Sequence, residues 1–314
     1  MKGNSRKNSS EQFYTLPEVA LDFASEVVKI YGIDAKYIEP CGGRGAFVDA
    51  LISLGVKADR ITAFDIDPKH PLVHKKDFLN EDLGIIEPDQ VVLTNPPYGR
   101  ACSLAIKFFN KCAFHKVKAI AFLVPSSFHK VAISDRLNLN FDLRTFRKAP
   151  NVSFYTDKDG TNDRGRLSTE FQIWDKADKK RLKRKFLRHP WLEFVPWNMV
   201  RDGATYDFCI RTHGSGCGQI LDKDYLGSLR RDSSSGSSHL NFRTVAFIKS
   251  KNPKLRPTLE VMDFTRFSNA VSYIPCIAPA EISILLSEVT GLECIYSKEN
   301  VSVEDVISDE LDFS

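Results

Sequence analysis

Five consecutive residues, Asn95-Pro96-Pro97-Tyr98-Gly99, carry the most specific chemistry in this chain. They follow the apolar run VVLT, and two prolines there cannot continue a hydrogen-bonded ladder, so the chain must turn at Pro96. A residue that precedes proline is held extended, which keeps the Asn95 side chain at the end of the strand. Asn95 offers an amide acceptor, and Pro96, which has no N–H, still offers its carbonyl. Two neighbouring acceptors suit an –NH₂ group that must give up a proton. Tyr98 adds a flat face on which a planar ring can stack. The competing reading of the same residues is an ordinary Pro-Pro turn.

Two upstream signals stand in order before this one. The segment EPCGGRGAF, Glu39 to Phe47, follows a short apolar run and opens a helical stretch. Gly43 and Gly45 allow a tight turn and close approach to the backbone. In the segment ITAFDID (61–67) a strand then ends in Asp65, some twenty residues further on. A carboxylate at that spacing can accept both hydroxyls of a ribose. Asp67 is a rival for that role, and either acid can also be a solvated loop residue.

The elements needed to position these residues are legible. Apolar runs at 37–40, 61–67, 91–97 and 119–125 alternate with helical stretches at 46–54 and 103–114. This alternation predicts a doubly wound, Rossmann-like parallel α/β sheet, with ligands at the carboxyl ends of its strands. FDLRTFRK (141–148) and STEFQIWD (168–175) add two strands, with a polar loop, 156–166, between them. A helix is expected over 15–31, capped by Thr15 with Pro17 in its first turn. The basic run from Lys176 to Arg188 marks a boundary. The organisation read is a disordered lead at 1–11, a catalytic domain at 12–176, a mixed α+β recognition region at 177–301 and an acidic tail at 302–314. The recognition region includes strands at 207–214 and 242–250, a flexible loop at 230–241 and a helix at 279–290.

Composition bounds the partners. Hydrophobic residues are 42% of the 314, and Lys+Arg exceeds Asp+Glu by 44 to 40, a net charge of +4. That balance permits a nucleic-acid partner without arguing for one. The seven cysteines form no C-x-x-C pair and read as reduced thiols. No secretory signal is visible and no run of roughly 18 apolar residues exists. The expectation is a soluble intracellular protein without membrane contact, cytoplasmic, or nuclear in a eukaryote. The oligomeric state is not legible.

Glu39, Pro40, Gly43, Gly45, Ala46 and Phe47, then Asp65, then Asn95 to Tyr98 resemble motifs I, II and IV of the S-adenosylmethionine-dependent amino-methyltransferases. That group methylates adenine N6, cytosine N4 or, in one branch, a protein glutamine. Family members usually carry Asp where this chain has Glu39. Asp77 and Phe78 resemble motif III, whose acid meets the adenine amine of the cofactor. Phe13, Tyr14, Thr15 and Pro17 are similar to motif X, near the cofactor's methionine end. The order of motifs resembles the gamma arrangement of DNA adenine methyltransferases, over roughly residues 12–175.

The resemblance implies S-adenosyl-L-methionine as cofactor, held by Tyr14, Thr15, Glu39, Pro40, Gly43, Gly45, Phe47, Asp65, Ile66, Asp77, Phe78 and Asn95. It implies Asn95, Pro96, Pro97 and Tyr98 as the catalytic group, with no metal, and a nucleic acid as substrate, DNA before RNA. The target base must leave its stack or come from a single strand. Arg164, Arg166, Lys180, Arg181, Lys183 and Arg184 are the candidate phosphate contacts, the basic run being alternatively a solvated helix face. Trp191, Trp197 and Tyr206 either stack on bases or belong to the core. Two other functions share the motif. One is a glutamine-directed protein methyltransferase of the release-factor type. The other is a methyltransferase-like nucleic-acid-binding subunit without catalysis.

Overall fold

In the computed structural model the apolar runs become the strands of one seven-stranded sheet. The structure describes residues 13–80, 86–150, 153–155, 168–223, 244–268 and 275–296. The lead at 1–11, the loops at 156–166 and 230–241, and the acidic tail lie outside the described residues. Contacts group the chain into two units: Met1–Phe128 with Arg136–Arg181, and His129–Asp135 with Leu182–Ser314.

The elements of the first unit are β1 (Tyr14–Thr15), α1 (Pro17–Tyr31), β2 (Tyr37–Glu39), α2 (Ala46–Ser53), β3 (Ile61–Asp65), β4 (Val73–Lys75), β5 (Val91–Thr94), α3 (Ser103–Phe114), β6 (Ala119–Pro125), β7 (Phe141–Lys148), β8 (Phe154–Tyr155) and β9 (Thr169–Lys176). The sheet order is β4-β3-β2-β5-β6-β9-β7. The first five strands are parallel, and β9 runs antiparallel between β6 and β7. Every residue of β5 and β6 is buried. That is why their sequences read as continuous apolar runs, as central strands covered on both faces do. The edge strand β7 instead buries only Phe141 and then alternates more and less exposed residues.

Alternate residues of each strand feed opposite layers. Val91, Leu93, Ala119, Ala121, Leu123, Phe171 and Ile173 pack with Val19, Phe23 and Val27 of α1 and with Phe47 and Leu51 of α2. On the other face Phe109 of α3 meets Phe122, Phe141 and Trp174 edge-on, with centroids 5.5–5.9 Å apart. The sheet is therefore doubly wound, as expected. From β2 the chain proceeds to β3 and β4 on one side and resumes at β5 on the other. The reversal opens a crevice at the carboxyl ends of β2, β3 and β5.

The start of α1 corrects the sequence reading. Thr15 is not its cap: Leu16 precedes the helix in extended conformation without a side-chain cap, and Pro17 occupies the first position. The backbone of Thr15 is already committed, because β1 pairs antiparallel with β8, Thr15 opposite Phe154 and Tyr14 opposite Tyr155.

The second unit begins with a segment from between β6 and β7, including α4 (Val131–Ser134). It continues with β10 (Leu187–Arg188), β11 (Leu192–Val195), α5 (Trp197–Arg201), β12 (Phe208–Arg211), β13 (Ile220–Asp222), β14 (Val245–Ser250), α6 (Leu255–Glu260), α7 (Thr265–Ser268), α8 (Pro279–Thr290) and β15 (Ile295–Tyr296). An antiparallel sheet in the order β11-β14-β12-β13 packs Phe208, Ile210 and Ile248 against Leu255, Phe267, Ile282 and Leu286. Trp197 stacks on Phe247 at 5.6 Å and Tyr206 meets it edge-on at 5.1 Å, so these two aromatics pack against the sheet.

Lys130, from the inserted segment, is buried with Glu281 of α8. Its Nζ donates to Glu281 Oε2 at 2.6 Å, the Cys276 carbonyl at 2.8 Å and the Phe267 carbonyl at 3.2 Å. Glu281 also accepts from the Val131 and Ala278 amides. All three ammonium donors thus have acceptors.

The boundary falls after Arg181 rather than Lys176, because the Arg181 guanidinium is bonded to the Phe141 and Leu137 carbonyls at 3.0 and 3.2 Å. The basic run is not a helix face either. Residues 177–183 carry no helix or strand, and a 3-10 turn follows at Arg184–Phe186.

Candidate active site

The glycine turn links β2 to α2 at the crevice. Gly43 and Gly45 have φ of +48° and +80°, the left-handed region open to glycine. The structure also shows what presses on them. A Cβ at Gly43 would lie 3.2 Å from the Tyr14 ring, and one at Gly45 2.5 Å from the His70 ring. Asp65, at the end of β3, braces the turn: its Oδ2 accepts from the Gly43 amide at 2.9 Å and its Oδ1 from the Asp67 amide at 2.8 Å. Ile66 beside it is 61% exposed. Tyr14, Thr15, Glu39, Gly43, Phe47 and Asn95 line one open cleft.

Glu39 is the buried acid of this cleft, 2% exposed. Its Oε1 accepts from the Cys41 amide at 3.0 Å. The Thr94 hydroxyl lies buried close by without a well-formed hydrogen bond. Removal from water pushes the Glu39 carboxyl up to about 8, and the negative charge of Asp65 adds to the rise. Folding therefore holds a proton on Glu39 that the unfolded chain releases above about pH 4.5, and stability falls as pH rises from there towards 8. Glu39→Gln keeps the acceptor and removes the acid. We expect it to raise the stability of the free protein by order 3 kcal/mol at pH 8 and little at pH 4.5, measured by denaturant melts at both values. Equal effects at the two pH values would refute this account of Glu39.

Asn95 follows β5, and its amide orientation is set from both ends. Nδ2 donates to the Phe13 carbonyl at 3.2 Å, and Oδ1 accepts from the Tyr98 hydroxyl at 3.0 Å. A carbonyl can only accept, so the Asn95 amide must turn its NH₂ to Phe13 and keep Oδ1 as the acceptor. Burial pushes the Tyr98 phenol far above its ordinary value, which keeps it a donor. The Tyr98 ring packs against the α1–α2 side of the core. Sequence reasoning assigned this residue a stacking face and did not foresee its hydroxyl contact.

The backbone after the motif is strained. Gly99 has φ +68°, and the non-glycine residues Ala101 and Cys102 have φ of +49° and +59°. A left-handed conformation costs a non-glycine residue roughly 1 kcal/mol. Ala101→Gly is expected to stabilise the protein by up to about 1 kcal/mol, read from the denaturation midpoint. A destabilisation would contradict the strain.

The remaining predicted residues divide. Pro40 is buried behind the glycine turn, and Phe78 is buried and stacked on Phe108 at 5.1 Å. Asp77 does not line the cleft. Its carboxylate caps its own turn, accepting from the Leu79 and Asn80 amides and from Asn80 Nδ2. Those donors hold its acid below the usual range. Lys180 is exposed. Arg181 and Arg184 are engaged internally, Arg184 with the Ser134 hydroxyl and its backbone amide with Asp135. Arg164 and Arg166 lie outside the described residues. Sequence reasoning also passed over Arg44, which lines the cleft with its guanidinium 5.0 Å over Tyr14 and 5.7 Å over Tyr155. Its place between the two glycines was the available signal.

Among the described residues no helix is long and apolar enough to cross a membrane. No protein-family model matches the chain. The type II methyltransferase M.VspI of Vibrio sp. (strain 343) is 30% identical over 112 residues, 31% of this chain and 27% of the relative. This chain thus matches little more than a quarter of that relative's length. The type IIG restriction endonuclease BpuSI is similar with TM-score 0.40 and 13% identity, over 81% of this chain and 33% of that one. The type I restriction-modification methyltransferase subunit of Streptococcus thermophilus is similar with TM-score 0.36 and 15% identity, over 81% of this chain and 59% of that one. The Vibrio relative is by name a methyltransferase.

Proposed function

We propose that this chain transfers a methyl group from S-adenosylmethionine to the N6 amine of adenine in a nucleic acid, DNA before RNA. The carrying observation is the fixed Asn95 amide, whose acceptor oxygen sits at the carboxyl edge of β5. Asn95 lines the same cleft as the glycine turn and Glu39.

The cofactor is proposed to lie in the cleft and along the end of β3 beside it, where Asp65 accepts from the Gly43 amide. Glu39 is a buried carboxyl with no basic partner among the described residues, which suits an ammonium group. The Asp65 carboxylate, at the end of β3, suits ribose hydroxyls, and Ile66 is a bare apolar side chain suited to a base. When bound, S-adenosylmethionine supplies an electrophilic methyl group.

Asn95 Oδ1 accepts one N–H of the target amine. The Pro96 carbonyl is proposed to accept the second, making the nitrogen more pyramidal and more nucleophilic. Because the Asn95 amide is held at both ends, little reorganisation precedes transfer, and orientation supplies much of the rate. The Tyr98 hydroxyl orients Asn95 in the free protein. The ring is proposed to stack on the base, which must be extrahelical or single-stranded. Exposed lysines of the basic run, such as Lys180, are proposed to follow phosphate.

The test is incubation with methyl-labelled donor and separate DNA, RNA and protein acceptors. Label in nucleic acid supports the proposal. Label in protein alone favours the glutamine reading. Donor binding without transfer to any acceptor favours a non-catalytic subunit.

A further inference from the structure

We propose that Glu39 is a proton-coupled ammonium site: protonated in the free protein, it releases that proton to solvent when a ligand's ammonium group enters the cleft. The inference rests on the donor reading above and adds a linkage to it.

The geometry isolates one carboxyl at the floor of the cleft. It is 2% exposed and lines the same space as Gly43, Phe47 and Asn95. Among the described residues the groups facing it are few and carry no positive charge. The loop gives one hydrogen bond, from the Cys41 amide. β5 gives the Thr94 hydroxyl, β3 the like charge of Asp65, the loop the Cys41 thiol and α3 the Cys112 thiol, both thiols pushed up chiefly by burial and so neutral. Arg44 lines the cleft too, but its guanidinium lies over Tyr14 and Tyr155. A carboxylate so placed has lost its water and gained one backbone donor, which favours the neutral acid; the value of about 8 agrees.

An arriving ammonium changes that balance, because an opposite charge in a poorly solvated site favours the ionised form. The carboxyl O–H bond breaks, the proton passes to buffer, and the ligand keeps its own NH₃⁺. Binding of an amino-acid-bearing nucleoside therefore exchanges one proton for one cation. Affinity should rise close to tenfold per pH unit between pH 6 and 7, below the range where an α-amine titrates.

The experiment is titration calorimetry on the full chain at pH 6.5, in two buffers of different ionisation enthalpy. S-adenosylmethionine and S-adenosylhomocysteine should each release close to one proton. 5′-Methylthioadenosine, which lacks the amino-acid end, should bind with release near zero. Glu39→Gln should abolish both the release and the pH slope for the first two ligands. Binding of S-adenosylmethionine by the native chain without proton release overturns the inference while sparing the donor reading. Undiminished release in Glu39→Gln also overturns it, by placing the proton elsewhere. No binding of any of the three nucleosides overturns the donor reading and this inference together.

Discussion

Asn95→Ala is expected to lower single-turnover methylation by 10²- to 10³-fold at saturating donor, with donor affinity changed by less than about threefold. The substitution removes an acceptor held in place by the Phe13 carbonyl and the Tyr98 hydroxyl. Deleting one preorganised polar group at a reacting centre typically costs about 3–4 kcal/mol of transition-state stabilisation. Tyr98→Phe separates the parts. It keeps the ring and removes the donor to Asn95 Oδ1, so it tests orientation alone. A loss well short of that of Asn95→Ala is expected, since Phe13 still fixes the amide from the other end. A fully active Asn95→Ala would remove the chemical role of the amide.

Lys130→Met is expected to cost about 3–5 kcal/mol of stability in the second unit, the loss typical when one partner of a buried ion pair is removed. Glu281 is 0% exposed and would keep only its two backbone donors, Val131 and Ala278. The Cys276 and Phe267 carbonyls would lose a donor as well. Adding Glu281→Gln should recover much of the loss, because the uncompensated charge is then gone. Denaturant titration followed by tryptophan fluorescence in a Trp174→Phe background, which leaves only Trp191 and Trp197, reports on this unit. A single-variant effect below about 0.5 kcal/mol would show that the ion pair contributes little.

Where the sequence was legible, local pattern and tertiary burial agree. AIAFLVP reads as a buried strand and is β6 without a residue's difference, because both of its faces are covered. SLAIKFFNKCAF likewise coincides with α3. Asn95 was found because two prolines leave few conformations for the residue before them. What escaped depends on contacts distant in sequence. The β1–β8 ladder pairs Tyr14 with Tyr155, and two-residue strands carry no periodicity. It is this ladder, with the Leu16 amide bonded to the Ser153 carbonyl, that settles where α1 begins. Nothing local to the 129–135 segment tells that Lys130 is paired 151 residues away. By composition the basic run reads either as a phosphate contact or as a solvated helix face. Arg181 and Arg184 are half-buried because each finds oxygen acceptors from remote residues, and long aliphatic stems tolerate such burial.

The central claim is that Asn95 and its cleft act on the exocyclic amine of adenine. The most direct measurement is mass spectrometry of nucleosides digested from DNA and RNA after incubation with the full chain and deuterated-methyl S-adenosylmethionine. The account predicts a labelled methyl on N6-methyladenine, absent with Asn95→Ala. Label on N4-methylcytosine alone, or on no nucleoside while the chain binds the donor, would contradict it.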